Sequence, residues 1–149
     1  MPKHPSMLTM EADCTLRLVH FNDVYVLEHL PALKTAIDAE RAACPNCVVC
    51  MGGDFLGPSL LSSLDHGEGM VEMLNLLGVD YLCFGNHECD VPVDALRDRI
   101  NQFEGIWLNS NMPGFEPELP AYDVLSLVGA DGRPCGREVG FVGLLIGGG

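Results

Sequence analysis

Apolar positions in this chain fall into short runs separated by turn residues, and the runs alternate between strand-like and helix-like spacing. Residues 16–21 (LRLVHF) alternate Leu16, Leu18 and Phe21 with other side chains and read as a strand that stops at the turn-prone pair Asn22-Asp23. From residue 30 to 43, Leu30, Leu33 and Ile37 keep helical spacing with Pro31 near the first helical position, and Pro45 and Asn46 make the turn. Residues 47–51 (CVVCM) are apolar throughout, a second strand, ending at Gly52-Gly53-Asp54. Residues 58–67 are loop-like or weakly helical. A helix follows over 69–77, with Met70, Met73, Leu74 and Leu77 on one face and Gly78 as its C-cap. Tyr81, Leu82, Cys83 and Phe84 form a third strand, broken by Gly85 and followed at once by Asn86, His87 and Glu88. Asp90 is placed to cap a further helix with Pro92 in its first turn and Leu96, Ile100 and Phe103 along one side. Residues 106–108 predict a fourth short strand, leading to Asn109, Ser110 and Asn111, and residues 112–121 with three prolines predict a loop. Residues 122–128 and 138–145 predict two more strands, joined as a hairpin by a turn containing Asp131-Gly132.

This order predicts an α/β fold with parallel strands and crossover helices in its first part and an antiparallel hairpin after it. No internal repeat or domain boundary is visible: residues 1–14 are expected to be a flexible leader and 15–149 one domain. The chain stops at three glycines immediately after a strand, so the domain is expected to be cut there.

Composition narrows the function classes. With 48% hydrophobic and 19% charged residues, the chain should fold into a globular domain. A net charge of −13 argues against a nucleic-acid surface, which needs a basic face. No apolar run reaches the ~20 residues of a membrane span. The start lacks the apolar segment of a secretory signal, which predicts a cytoplasmic protein. Seven cysteines, an odd number without framework spacing, predict reduced thiols. Cys44, Cys47 and Cys50 invite a zinc or iron–sulfur reading. However, Cys44 ends a helix and the other two belong to an apolar strand, where free cysteine behaves as a small hydrophobe.

The candidate chemistry lies where strands end. Right-handed crossovers put the ends of the first three strands on one sheet edge, where open α/β sheets collect their chemistry. Asp23, Asp54, Asn86 and His87 should therefore converge: two carboxylates, an amide oxygen and an imidazole. The two glycines before Asp54 let the backbone turn sharply. Each residue alone has an ordinary reading: Asp23 as a turn residue, Asp54 as a cap or loop acid, the Asn86-His87-Glu88 triplet as a polar turn. Together they point to a site for divalent cations, and a shared carboxylate can hold two ions roughly 3.5–4 Å apart. His20, inside the first strand, reads as a structural histidine. Asn109 and Asn111 read either as turn stabilisers or as substrate contacts.

The stretches VHFNDVY around Asp23, GGDF around Asp54 and VEMLNLLGVDYLCFGNHE up to Glu88 resemble the calcineurin-like metallophosphoesterases, in particular the amino-terminal catalytic domain of the 5′-nucleotidase branch. The likeness covers most of residues 15–145 and implies the first part of a metallophosphoesterase α/β sandwich. It also implies hydrolysis of a nucleotide-type or small phosphomonoester through two divalent metal ions (Mn, Zn, Fe, Mg or Ni) and metal-bound water. The acidic charge and the lack of a long apolar run separately predict no nucleic-acid polymer and no membrane as partner. By resemblance Asp23 binds one metal, Asp54 bridges both, Asn86 binds the second, and His87 donates to the phosphate or leaving oxygen, oriented by Glu88. Two departures stand out. The family's first motif is usually Asp-x-His, and Tyr25 occupies that histidine's place, as a ligand or a second-sphere group. Three further histidines of the family come from two later motifs, which His4, His20, His29 and His66 do not match. The rest of the catalytic domain is expected from a longer chain. The competing expectation is a non-catalytic fragment or pseudoenzyme that binds a partner through the same edge.

Overall fold

Alternating apolar runs and amphipathic segments fold here into three layers, in a computed structural model that describes residues 14–146. Strands β1 (Arg17–Phe21), β2 (Cys47–Met51), β3 (Tyr81–Cys83) and β4 (Ile106–Leu108) form a parallel sheet in the order β1-β2-β3-β4. Helix α1 (Leu30–Ala43) connects the first pair, α2 (Leu60–Asp65) and α3 (Glu68–Leu77) the second, and α4 (Val93–Gln102) the third. Strands β5 (Tyr122–Val128) and β6 (Pro134–Val142) form a separate antiparallel hairpin. The α/β architecture expected from the sequence is the one observed. Among the described residues, no helix is long and apolar enough to cross a membrane.

Successive residues of a strand point to opposite faces, and both faces of the parallel sheet are covered. Val49, Met51, Leu82 and Trp107 pack with Ile37 of α1 and Met70 and Leu74 of α3 in the main core. Burying each such side chain contributes roughly 1.5–3 kcal/mol. On the opposite face Val48, Tyr81 and Leu108 meet Leu125 and Phe141 of the hairpin, with the rings of Tyr81 and Phe141 stacked at 4.3 Å. Polar bonds fix the hairpin in place. The Tyr81 hydroxyl donates to Asp123 Oδ2 at 2.6 Å. The buried Asn46 amide donates to the carbonyls of Thr15 and Val128 at 2.9 and 2.8 Å and accepts the Val128 N–H at 2.9 Å.

Four expectations are decided or corrected by the structure. Residues 60–65, expected as loop-like or weakly helical, are a helix, started by Ser59, whose hydroxyl accepts the Ser62 N–H at 3.0 Å. Asp90 does not cap α4; it ends a 3-10 turn over Asn86–Asp90, and Pro92 immediately precedes the helix. Strand β6 begins at Pro134 rather than 138, because the turn closes early, with the Gly129 N–H on the Arg133 carbonyl at 2.7 Å. Cys14 and Cys135 are bonded, with Cα atoms 6.5 Å apart, so the expectation of reduced thiols does not hold for that pair. The start of the sheet and the hairpin bring these two residues together from distant positions, which no local spacing reveals. Residues 1–13 of the expected leader and the last three glycines lie outside the described residues.

Candidate active site

The loops leaving β1 and β2 are joined by their backbones. The Asp23 N–H donates to the Gly53 carbonyl at 3.3 Å and the Val24 N–H to that of Asp54 at 3.0 Å. Asp23 and Asp54 both hold left-handed backbone, with φ of 57° and 61°. That conformation costs a non-glycine residue on the order of 1–3 kcal/mol and persists only where the surroundings over-determine it. Gly53, with φ of 94°, passes so close to the next loop that a Cβ there would meet the backbone of Phe84 and Gly85. A Cβ on Gly85 would in turn strike the Asp54 carboxylate.

Asp23 is exposed, and its Oδ1 accepts the Tyr25 hydroxyl at 2.7 Å while Oδ2 accepts the Asn22 amide. That bond to a carboxylate, aided by burial, pushes the Tyr25 phenol up to about 12. Tyr25 therefore stands as a donor to Asp23. Its ring edge also meets the His87 imidazole, with centroids 5.9 Å apart at 87°, so one side chain touches both the first carboxylate and the imidazole.

Asn86, exposed, opens the 3-10 turn after β3. The backbone N–H of His87 donates to Asp54 Oδ1 at 2.8 Å. His87 Nδ1 lies 2.6 Å from Asp90 Oδ2, and that bond raises the imidazole above its ordinary range. Glu88 plays a different part from the one the resemblance implied. Its side chain is wholly buried and does not orient the imidazole. Its Oε2 accepts the N–H groups of Asp54 and Gly85 at 2.9 and 2.5 Å, and its Oε1 those of Phe55 and Leu56 at 2.9 and 3.3 Å. Burial raises its pKa against the pull of those four donors. The reason is the pitch of the turn. With three residues per turn, positions i and i+3 eclipse, so Asp90 lies under His87 while the neighbouring residue points away. Asp90 is the functional candidate missed in the sequence, and its spacing from His87 was the available signal.

The remaining candidates separate cleanly. Asn109 uses both side-chain atoms on the Met112 backbone at 3.0 Å, and Asn111 does the same on Leu145 at 2.6 and 2.9 Å. Both hold turns. His20 is exposed on β1, standing over Gly52. Cys44, Cys47 and Cys50 are free, and burial pushes Cys50 up to about 11. Among the described residues no group of three or more His, Cys, Asp or Glu is placed to hold a metal ion. The donors at the edge (two carboxylates, an amide and a phenol) fit a hard divalent cation in kind, since such ions take oxygen ligands. In number they supply part of a coordination shell.

Fold and edge together define an α/β protein whose polar groups gather at the carboxyl ends of parallel strands. The chain belongs to the calcineurin-like phosphoesterase family, whose model matches residues 16–142. A probable 5′-nucleotidase of Treponema pallidum is 32% identical over 81 residues, covering 54% of this chain and 14% of that protein. Endonuclease YhcR of Bacillus subtilis is 30% identical over 122 residues, covering 71% of this chain and 9% of its own length. The structure of the Haemophilus influenzae NAD nucleotidase superposes with a TM-score of 0.71 at 20% identity, over 87% of this chain and 26% of that one, a likeness of fold. The chain thus spans about a quarter of that structure and 14% or less of the two sequence relatives.

Proposed function

We propose that this edge is part of a metal-dependent site that hydrolyses a phosphate ester, most simply a nucleotide-type or small phosphomonoester. The observation that carries the reading is the pairing of His87 with Asp90 at 2.6 Å, beside an Asp54 carboxylate held by the His87 N–H at 2.8 Å. A proton donor and a cation ligand are thereby fixed to the same turn.

Asp23, Asp54 and Asn86 would hold two divalent ions, with Tyr25 acting through Asp23 and further donors coming from outside the residues described. Bound ions would supply positive charge to the phosphate oxygens and lower the pKa of water. With a net charge of −13, the chain opposes an incoming phosphate dianion unless cations sit at this edge. The roles of the protein groups follow from their contacts. His87 turns Nδ1 to Asp90, which leaves Nε2 to protonate the departing oxygen, and Asp90 favours the protonated imidazole that such a step needs. Tyr25 keeps Asp23 oriented and its ring limits the swing of the imidazole.

The names of the nucleotidase relatives support a nucleotide-type substrate, and the endonuclease relative makes a phosphodiester the competing one. The acidic surface favours the monoester, because a polynucleotide needs a basic track. The test is phosphate release from an aryl phosphate and from AMP with added manganese, alongside release of the aryl alcohol from a bis-aryl phosphodiester, each with a His87→Ala control. Monoester turnover that falls about 100-fold or more in the control is the expected result. Turnover of the diester alone would reassign the substrate. No turnover above the control would favour the non-catalytic binding module.

A further inference from the structure

We propose that Glu88 is a positioning residue for Asp54: its buried carboxylate sets the backbone of residues 54–56 and 85, and with it the direction in which the Asp54 carboxylate points. The role given to Asp54 rests on the phosphoesterase reading above; the hold of Glu88 on the backbone stands on the hydrogen bonds alone.

Past Gly52-Gly53 the chain has left β2 and not yet entered α2, so the N–H groups of Asp54, Phe55 and Leu56 have no ladder or helical partner of their own. All three point inward at one place, and the Gly85 N–H, just past β3, joins them. Convergent N–H groups of this kind form a nest for an anion. Here the protein fills the nest with its own carboxylate, 32 to 34 residues distant from the first three donors. The surroundings are apolar: Phe55 and Leu56 are 0% and 1% exposed, and Glu88 itself is 0% exposed. A carboxylate at such a place is tolerated only when fully hydrogen-bonded. An apolar side chain of the same size would strand four donors, two of them fully buried.

The geometry around Asp54 is reciprocal. Its N–H donates to Glu88 at 2.9 Å, and its Oδ1 accepts the N–H of His87, the residue next to Glu88, at 2.8 Å. Two bonds running in opposite directions lock Asp54 onto the turn that carries Asn86 and His87. This clamp accounts for the left-handed φ of 61° at Asp54, which the chain would relax if released. Without Glu88, the candidate ligands Asp54 and Asn86 lose their fixed relation although neither has been altered.

Glu88→Gln keeps the size but turns an amide N–H toward donors. The variant is compared with wild type and with Leu74→Ala, which opens a cavity under α3 in the main core without removing any hydrogen bond to residues 54–56 or 85. Two quantities are read on folded protein at low temperature: residue-resolved amide exchange, and Mn2+ affinity by the EPR signal of free ion. In Glu88→Gln, exchange should accelerate at least tenfold at residues 54–56 and 85 but not within β2, and Mn2+ binding should weaken at least tenfold. Leu74→Ala, though less stable, should bind Mn2+ as wild type does. Glu88→Asp, which keeps the charge, should recover part of both effects, and it replaces the glutamine variant in the comparison if that one does not fold. Unchanged exchange at the four amides, or an equal loss of Mn2+ affinity in Leu74→Ala, overturns the inference. If wild type binds no Mn2+, the metal reading of Asp54 has failed and the exchange pattern alone decides what Glu88 does.

Discussion

A single methyl group added at Gly53 tests whether the two site loops touch. Alanine there would meet the backbone of Phe84 and Gly85 and would have to hold φ of 94°. Strain and overpacking together predict a loss of about 3 kcal/mol or more in urea unfolding. A loss under about 0.5 kcal/mol, the range of an ordinary surface change, would mean that the loops are not in contact. Tyr81 offers a test with a sign in pH. Burial, then its bond to Asp123, raises its phenol above the ordinary value. The folded state therefore holds this proton more tightly than the unfolded chain. That contribution is complete below about pH 10, the ordinary tyrosine value, and is lost as pH rises beyond it. Tyr81→Phe should cost about 1–2 kcal/mol at neutral pH and lessen the alkaline decline, measured as unfolding midpoints from pH 8 to 11.

Helix α2 depends on its ends rather than on a buried face. Leu60 and Leu64 are 83% and 78% exposed, and only Ser62 of the six residues is buried. Ser59→Ala should therefore cost about 1 kcal/mol and speed amide exchange in residues 60–65 ahead of the other helices. Equal exchange in the variant would show that tertiary contacts hold the segment. In the sequence this segment stays open between loop and weak helix, because Leu60, Leu61 and Leu64 are too few to establish a helical period over six residues. By contrast α1, β2, β4 and β5 were readable at their observed limits, because apolar runs there are bounded by proline, glycine or asparagine. The start of β6 was obscured by Pro134, Gly136 and Arg137, which break the alternation. At the candidate site, Asp23, Asp54 and His87 could be placed from strand ends and right-handed crossovers. What could not be read was which carboxylate meets the imidazole. That choice is made by the three-residue pitch of one turn, and Asp90 and Glu88 look alike until it is known.

The hairpin and the parallel sheet are joined across the whole molecule by the bond between Cys14 and Cys135, which are 121 positions apart. A crosslink closing so long a loop restricts the unfolded chain, by about 4–5 kcal/mol in the chain-entropy description. Reductant, or the double replacement Cys14→Ser with Cys135→Ser, should lower stability by an amount of that order. Alkylation in denaturant without reductant should modify five of the seven cysteines. Modification of all seven would restore the expectation of reduced thiols.

The sheet order repeats the chain order, β1 to β4. Each strand can therefore add to the edge its predecessor has just left open, and no later strand must be inserted between earlier ones. Such a sheet can be laid down from the amino-terminal side while synthesis continues. In that order of addition, the loops that carry Asp23 and Asp54 stay unfinished until the third strand is added. The turn after that strand carries both the buried Glu88 and His87, so the same addition that extends the sheet brings both of them to Asp54.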